Sequence, residues 1–209
     1  MLSIARLAAR LRMLNSASGG VYSTADLAVI LDRPHPARLT ESIRTLLREG
    51  VLARVRRGLY VDHLTGYRPE VVGQRWIAPS YLSTEAALDR HGLCDTGVSA
   101  YTYVTGRLLL RRETARKVLD RRTFIYRHVA AHLFFGYRSE AGVLLAEPEK
   151  AVLDFLYFLY KGQHSVLSPG DIDYSRLDER RFKQYLRRFR QAGFANHAHN
   201  WFGKQGARG

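Results

Sequence analysis

The chain has 209 residues, of which 33 are lysine or arginine and 19 are aspartate or glutamate, so its formal net charge is +14. This excess of basic charge predicts a polyanionic partner, either nucleic-acid phosphates or an acidic protein surface. The single cysteine, Cys94, excludes an intramolecular disulfide and is consistent with a reducing cytoplasm. The most apolar run, residues 151–160, is too short to span a bilayer and contains Asp154, so we expect no membrane span.

The first predicted element is a helix at the N-terminus. Ile4, Leu7, Leu11 and Leu14 fall on one helical stripe that ends before a pair of glycines. The same segment is basic and free of acidic residues, which is also typical of an organelle transit peptide. The periodicity favours a structural helix, with the transit peptide as the alternative.

Two further helices are predicted next. Ser23 is a good N-cap, and Asp26 stands three residues later, where a short acid can complete a capping box. The prolines of "DRPHP" (32–36) end that helix and open the next. Gly50 stands where the C-terminus of the third helix favours a left-handed residue. The inner face of the third helix is predicted to carry Leu39, Ile43, Leu46 and Leu47.

A basic hairpin follows the third helix. The run "VLARVRRGLYVD" (51–62) predicts two short strands with Gly58 supplying the turn. Three helices followed by a hairpin predict a winged helix-turn-helix over residues 1–66, with the third helix in the major groove of DNA and the hairpin tip along its backbone. The alternative is a small helical domain whose basic face is merely solvated.

Candidate DNA contacts lie on the third helix, on the hairpin and at the start of the second helix. Glu41 either accepts a hydrogen bond from a cytosine amine or orients Arg44 or Arg48 through a helical ion pair. Base or groove-edge contacts are predicted for Arg38, Arg44 and Thr45, and phosphate contacts for Arg48, Arg54, Arg56, Arg57, Ser23 and Thr24.

The rest of the chain predicts an α+β domain over residues 67–195 and a C-terminal tail over 196–209. Residues 63–75 read as a connector, and a short helix is expected between Ser83 and Gly92. A buried helix is predicted from Pro148 to Gly162 because it is apolar nearly all round. Strands are predicted in 100–105, 121–129 and 133–138, and a late amphipathic helix with Phe182, Tyr185, Leu186 and Phe189 inside.

The sequence resembles the AbiEi-type antitoxins of bacterial toxin–antitoxin operons. The resemblance rests on "PSYLSTEAALDRHGL", "YTYVTGR", "FIYRHVAAHLFFGYR" and "AEPEKAVLDFLY", in that order, and on "RRGLYV" upstream. It covers about residues 20–165 and implies a cytoplasmic repressor that binds inverted repeats in its own promoter. It also implies that the C-terminal domain counteracts a nucleotidyltransferase-like toxin, by direct contact or without it. Relatives often carry a longer C-terminal region. In this respect the chain departs from the family in the part to which the resemblance assigns the antitoxin role.

Two copies of such a protein would share an inverted repeat, either as a dimer or as cooperatively loaded monomers. A plain transcription factor without a toxin is a further alternative.

A second basic segment lies between residues 107 and 127. It predicts a surface for a polyanion, either more DNA or an RNA bound by the toxin, and the alternative is a solvated loop and strand edge. The residues assigned to this second basic surface are Arg111, Arg112, Arg116, Lys117, Arg121 and Arg122, flanked by Arg107 and Arg127.

An enzymatic alternative is a small basic Mg²⁺-dependent nuclease whose winged helix delivers DNA. Glu147, Glu149, Lys150 and Asp154 have the residue types that metal-assisted phosphoryl chemistry requires. Their helical spacing instead predicts an ion pair between Lys150 and Asp154. The histidines at 128 and 132 lack a convincing third ligand, and those at 197 and 199 lie in the predicted tail. We therefore predict a non-enzymatic protein with no metal and no cofactor.

Overall fold

The computed structural model describes residues 4–95, 97, 100–107 and 114–206. These residues form a mixed α+β structure with two β-sheets. The chain divides into two units, Met1–Trp76 and Ile77–Gly209. The division falls ten residues after the predicted 66/67 boundary, because residues that read as a connector form a helix that packs on the first unit.

The first unit contains four helices and a small antiparallel sheet among its described residues. The strand order in this sheet is β1-β3-β2. The three predicted helices and the hairpin are present. The elements in chain order are α1 (Ile4–Ser18), β1 (Val21–Ser23), α2 (Thr24–Ile30), α3 (Pro36–Arg48), β2 (Leu52–Arg56), β3 (Leu59–Asp62) and α4 (Pro69–Trp76).

Local signals mark the helix ends as the sequence predicts. The Ser23 hydroxyl accepts from the Asp26 amide at 3.0 Å, and the Asp26 carboxylate accepts from the Ser23 amide at 2.8 Å, which completes the capping box. Pro36 occupies the first turn of α3, and Gly50 has a φ of +68° just beyond its end. These signals need only neighbours a few residues away, so the sequence suffices to find them.

The core of the first unit collects the inner faces of α1, α2 and α3 against the sheet. The Tyr22 hydroxyl, which is fully buried, donates to the Leu11 carbonyl oxygen at 3.1 Å. This joins β1 to the first helix, so the N-terminal segment is part of the fold. The core residues are Leu7, Leu11, Tyr22, Leu27, Leu31, Leu39, Ile43, Leu46, Val51, Leu52 and Tyr60.

The helix α4 was not predicted, because its surroundings are rich in glycine, proline and polar residues. Val71 and Val72 are nonetheless buried. A Cβ added to Gly19 would lie 2.9 Å from a Val71 methyl, and the Arg68 amide donates to the Gly19 carbonyl at 2.8 Å. Contacts about fifty residues apart in sequence therefore stabilise this helix, and a local pattern cannot reveal them.

The second unit is built on a six-stranded sheet in the order β6-β7-β5-β4-β9-β8. The pairs β4–β9 and β5–β7 are parallel, and the other pairs are antiparallel. The elements are β4 (Ser80–Leu82), α5 (Thr84–Arg90), β5 (Ala100–Thr105), β6 (Thr114–Leu119), β7 (Arg122–His128), β8 (Tyr137–Glu140), β9 (Val143–Ala146), α6 (Pro148–Tyr160), α7 (Glu179–Leu186) and α8 (Phe194–Gly206).

The helix α6 is buried on nearly all sides, as its apolar sequence predicts. The strand expected in 133–138 begins only at Tyr137, after a 3-10 turn over Ala131–Leu133. The prediction of a C-terminal tail over 196–209 is wrong, because the helix α8 begins at Phe194 and runs to Gly206. Phe194 and Ala198 are fully buried, and Phe194 lies edge-on to Tyr157 at 5.4 Å between ring centroids. Packing against α6 thus stabilises a helix in residues 194–206, most of which the sequence analysis assigned to a tail.

The helices among the described residues are all too short, or too polar, to cross a lipid bilayer.

Candidate nucleic-acid interface

The outer face of α3 presents the charged residues that the sequence assigns to DNA. Arg38, Glu41, Arg44 and Arg48 are exposed, and Thr45 is half-buried. Helical spacing places them opposite the buried leucines and isoleucine of the same helix. Within the described part of the chain, the side chains of Arg38 and Arg44 have no hydrogen bond or ion pair, so their guanidinium donors are available.

Glu41 does not form the helical ion pair that was one of its two predicted roles. Arg48 instead donates from Nε to the Glu49 carboxylate at 3.1 Å. No ion pair joins Glu41 to Arg44 within the described residues. The carboxylate of Glu41 is therefore an exposed acceptor on the same face as two unpaired arginines.

The hairpin tip carries exposed arginines, as predicted. Gly58 adopts a φ of +78° at the turn between β2 and β3, a left-handed conformation that favours glycine. Arg54 and Arg57 are exposed, and the Arg54 guanidinium lies 5.8 Å from the centre of the Tyr60 ring. The Arg57 side chain has no partner among the residues described.

Arg56 has an internal role that the sequence did not reveal. Its Nε and Nη2 donate to the carbonyl oxygens of Trp76 and Arg75 at 3.2 and 3.3 Å, and its Nη1 donates to the Arg57 carbonyl at 3.0 Å. The first two acceptors are the last carbonyls of α4, where a cation also interacts favourably with the helix dipole. Arg56 therefore joins the hairpin to α4.

Ser23 and Thr24 are partly engaged by the protein itself. Ser23 forms the capping box, and the Thr24 amide donates to the Gly58 carbonyl at 3.2 Å. The start of α2 thus lies against the hairpin turn. Thr24 is exposed and its hydroxyl remains a candidate donor, whereas the amides of Ser23, Thr24 and Asp26 already have acceptors.

An ion pair between Asp26 and Arg75 fixes α4 to the start of α2. The Arg75 guanidinium donates to the Asp26 carboxylate at 2.8 Å and to the Val21 carbonyl at 3.0 Å. Burial opposes ionisation of Asp26, but hydrogen bonds from Ser23 and Arg75 and the charge of Arg75 outweigh it and lower the pKa of the carboxyl. The end of α4 is therefore held both by Arg56 of the hairpin and by Asp26 at the start of α2.

The second basic surface is divided between the faces of the sheet. Arg116 and Lys117 are exposed neighbours on β6 and project to opposite faces because side chains alternate along a strand. Arg121 and Arg122 are exposed at the β6–β7 turn, where Arg121 has a φ of +63°. Arg127 is buried against Glu85 at 3.3 Å. Arg111 and Arg112 lie outside the described residues.

The carboxylates considered for a nuclease have partners within the second unit. Lys150 and Asp154 are fully buried and form the predicted ion pair. Asp154 also accepts from the hydroxyls of Ser83 at 2.8 Å and Tyr81 at 3.0 Å, which ties α6 to β4 and the start of α5. The Ser83 hydroxyl therefore serves Asp154 rather than the predicted cap of α5.

Aromatic rings surround the Lys150 ammonium. Its Nζ lies 5.0–5.4 Å from the ring centres of Phe135, Phe189 and Tyr81. Burial lowers the pKa of Lys150, and the charge and hydrogen bond of Asp154 oppose that shift. The pair is enclosed and cross-links the core.

The remaining two carboxylates hold neighbouring segments. Glu149 accepts from the Asp178 amide at 2.9 Å, and Glu147 accepts from the Tyr185 hydroxyl. Burial and that contact with Glu147 raise the pKa of Tyr185 to about 12. Within the described ranges, no three histidine, cysteine, aspartate or glutamate residues are grouped so that they could hold a metal ion.

No protein-family model matches the chain, and no curated protein matches it.

Proposed function

We propose that residues 1–76 form a winged helix-turn-helix that binds double-stranded DNA, and that the protein is a cytoplasmic transcriptional autorepressor and antitoxin of the AbiEi type. In this proposal, α3 enters the major groove and the turn between β2 and β3 follows the DNA backbone. The function requires no metal or cofactor.

The observation that carries the proposal is the unpaired state of Arg38 and Arg44 on the exposed face of α3. Exposed arginines without partners can make bidentate contacts with guanine edges at no loss of internal ion pairs. Glu41 on the same face can accept from a cytosine amine. The element order, with β1 paired to the hairpin, supports the winged-helix assignment.

The hairpin contributes phosphate contacts in this proposal, and its arginines differ in kind. Arg54 and Arg57 have exposed guanidinium groups that can reach the backbone, whereas Arg56 already holds the end of α4. Substitution of Arg56 would disturb the scaffold as well as any DNA contact. Arg57 is therefore the cleaner probe of the hairpin.

The antitoxin role rests on the resemblance of segments in the 77–209 unit, of which "AEPEKAVLDFLY" runs from the end of β9 through most of α6. A nucleotidyltransferase-like toxin encoded next to this protein is the expected counterpart. Co-expression with the adjacent gene tests this role: rescue of growth supports it. Failure to rescue, with DNA binding intact, would leave a plain transcription factor as the better description.

The DNA-binding role is tested with labelled promoter DNA from upstream of the protein's own gene. We expect a shifted, intact band in the presence of Mg²⁺, and weaker binding to a scrambled sequence of equal length. The variant Arg38→Ala/Arg44→Ala should reduce this difference between the two DNAs. Equal affinity of the wild type for both sequences would contradict the proposal, and DNA fragments would favour the nuclease.

A further inference from the structure

A cavity of about 300 Å³ lies on one face of the sheet in the 77–209 unit. Its floor comes from three adjacent strands: Thr102 of β5 is paired with Ile125 of β7, which is paired in turn with Arg116 of β6. Paired residues project to the same face of a sheet, so these three side chains share the floor. The size is at the lower end of the range for small-molecule sites.

The segment after α6 forms the opposite wall. His164, Ser165 and Val166 line the cavity from this side. The His164 carbonyl accepts from the Arg127 guanidinium at 3.5 Å, and the side chains of Gln163 and Thr114 lie 3.4 Å apart across the sheet edge. These contacts hold the segment against the strands.

Arg127 supplies a buried donor without an acceptor. The residue is only 5% exposed, and its Nη2 donates to Glu85 at 3.3 Å. Its Nε is buried and has no hydrogen-bond partner among the described residues. A buried N–H without an acceptor is costly, so this guanidinium is held by fewer protein acceptors than it has donors, and the residue also lines the cavity.

Glu85 does not cancel the positive charge of the cavity. One of its oxygens accepts from Arg127 at 3.3 Å, and the other accepts from the Thr84 hydroxyl at 2.5 Å. Burial opposes ionisation of Glu85, but Arg127 and the hydroxyls of Thr84 and Ser165 outweigh it and lower the pKa of the carboxyl. Arg116, which is exposed at the rim, leaves an excess of positive charge.

We propose that this cavity binds a small organic phosphate monoester, with the phosphate between Arg127 and Arg116 and the organic group over Ile125 and Val166. Two arginines line the cavity against one carboxylate, which suits a doubly charged phosphate better than a singly charged carboxylate. A single inorganic phosphate would leave the apolar part of the cavity unfilled. The site goes beyond the proposed DNA-binding function and uses none of its residues.

The test is calorimetric titration of the full-length protein with adenosine 5′-monophosphate, and separately with adenosine, inorganic phosphate and benzoate. We expect the monophosphate to bind about tenfold more tightly than any of the other three, because adenosine lacks the anion, inorganic phosphate lacks the organic group and benzoate carries only one negative charge. No binding of the monophosphate would overturn the proposal. Equal binding of phosphate or of benzoate would overturn the assignment to an organic phosphate.

Adjacent residues of β6 provide a matched pair of variants. Arg116→Glu reverses a charge at the cavity rim, whereas Lys117→Glu makes the same charge change on the opposite face. We expect Arg116→Glu to weaken binding of the monophosphate about tenfold or more and Lys117→Glu to leave it nearly unchanged. An equal loss in both would show diffuse attraction and would overturn the proposal.

Two further variants separate a lost ligand from a lost fold. Ile125→Trp fills the floor without changing charge, and Arg127→Lys keeps a cation beside Glu85 but removes the forked guanidinium donors. Both should abolish or strongly weaken binding of the monophosphate while the protein still shows a cooperative thermal transition. Undiminished binding to a folded Ile125→Trp protein would place the ligand elsewhere and overturn the proposal. Promoter binding, measured on the same samples, reports separately on the DNA-binding function.

Discussion

The arginines on the outer face of α3 in the first unit and the buried cations of the second unit differ in whether they have partners inside the protein. On α3 of the first unit, Arg38 and Arg44 are exposed and unpaired within the described part of the chain. In the second unit, Lys150 and Arg127 are buried and each is matched to one carboxylate. The net charge of +14 therefore sums basic groups that have two different roles. Part of it is available to a polyanion, and part of it holds the fold together.

Replacement of Asp154 should give the largest effect. Asp154→Ala leaves the buried Lys150 ammonium without its counter-ion and should lower the free energy of unfolding by about 3–5 kcal/mol, measured by urea denaturation. The control is Glu179→Ala on α7, where Glu179 and Lys183 have the same spacing at 2.5 Å but are more than half exposed. That exposed pair should contribute only about 0.3–0.5 kcal/mol. Similar losses in the two variants would contradict the contrast between buried and exposed pairs.

Glu85 should make stability depend on pH. Because the pKa of Glu85 is lowered from its ordinary value of 4.5 in the folded protein, its stabilisation is present above that value and is lost as the pH falls below it. Glu85→Gln should cost about 1.5–3 kcal/mol near neutral pH. The gap to the wild type, followed by urea denaturation, should close on acidification. A gap that widens at low pH would contradict this assignment, and Glu41→Gln on α3 serves as an exposed control.

Arg44 should contribute to DNA specificity rather than to stability. Arg44→Ala is expected to weaken binding of the promoter by about 1–3 kcal/mol at one position of the site and to relax base preference there. Fluorescence anisotropy with single-base variants of the site measures this. The urea midpoint should stay unchanged because Arg44 has no internal partner among the described residues. A uniform loss on all sequences would assign Arg44 to phosphate instead.

Arg57 should show the smallest effect. Arg57→Ala removes one exposed cation at the hairpin turn and should weaken binding to cognate and scrambled DNA alike, with the salt slope reduced by about 1. Titrations at several salt concentrations measure it. Arg56→Ala should in addition lower stability, because it removes the contacts with the end of α4. Equal stability of Arg56→Ala and Arg57→Ala would contradict the inference that Arg56 stabilises the end of α4.

Some of the fold and of the site could be read from local patterns. The capping box of Ser23 and Asp26, the ion pair of Lys150 and Asp154 and the exposed face of α3 all depend on residues within one or two helical turns. The strands β5 and β7 were also predicted, β5 from its content of tyrosine, threonine and valine and β7 from its alternating pattern. The prediction of a tail over 196–209 was wrong, because burial of Phe194 and Ala198 stabilises α8 and its helical propensity alone does not.

The sequence by itself determined the short-range features of this protein: where most helices begin and end, which faces are charged, and that the chain carries a large basic excess. Only the tertiary structure decided which basic groups are available. Arg56 and Arg57 are neighbours, yet Arg56 turns to carbonyls 19 and 20 residues away. Arg127 meets Glu85 across 42 residues and lines a cavity. The physical reason is that helix caps and i,i+4 pairs form between close neighbours, whereas burial and ion pairing between distant residues depend on how the sheet and helices pack.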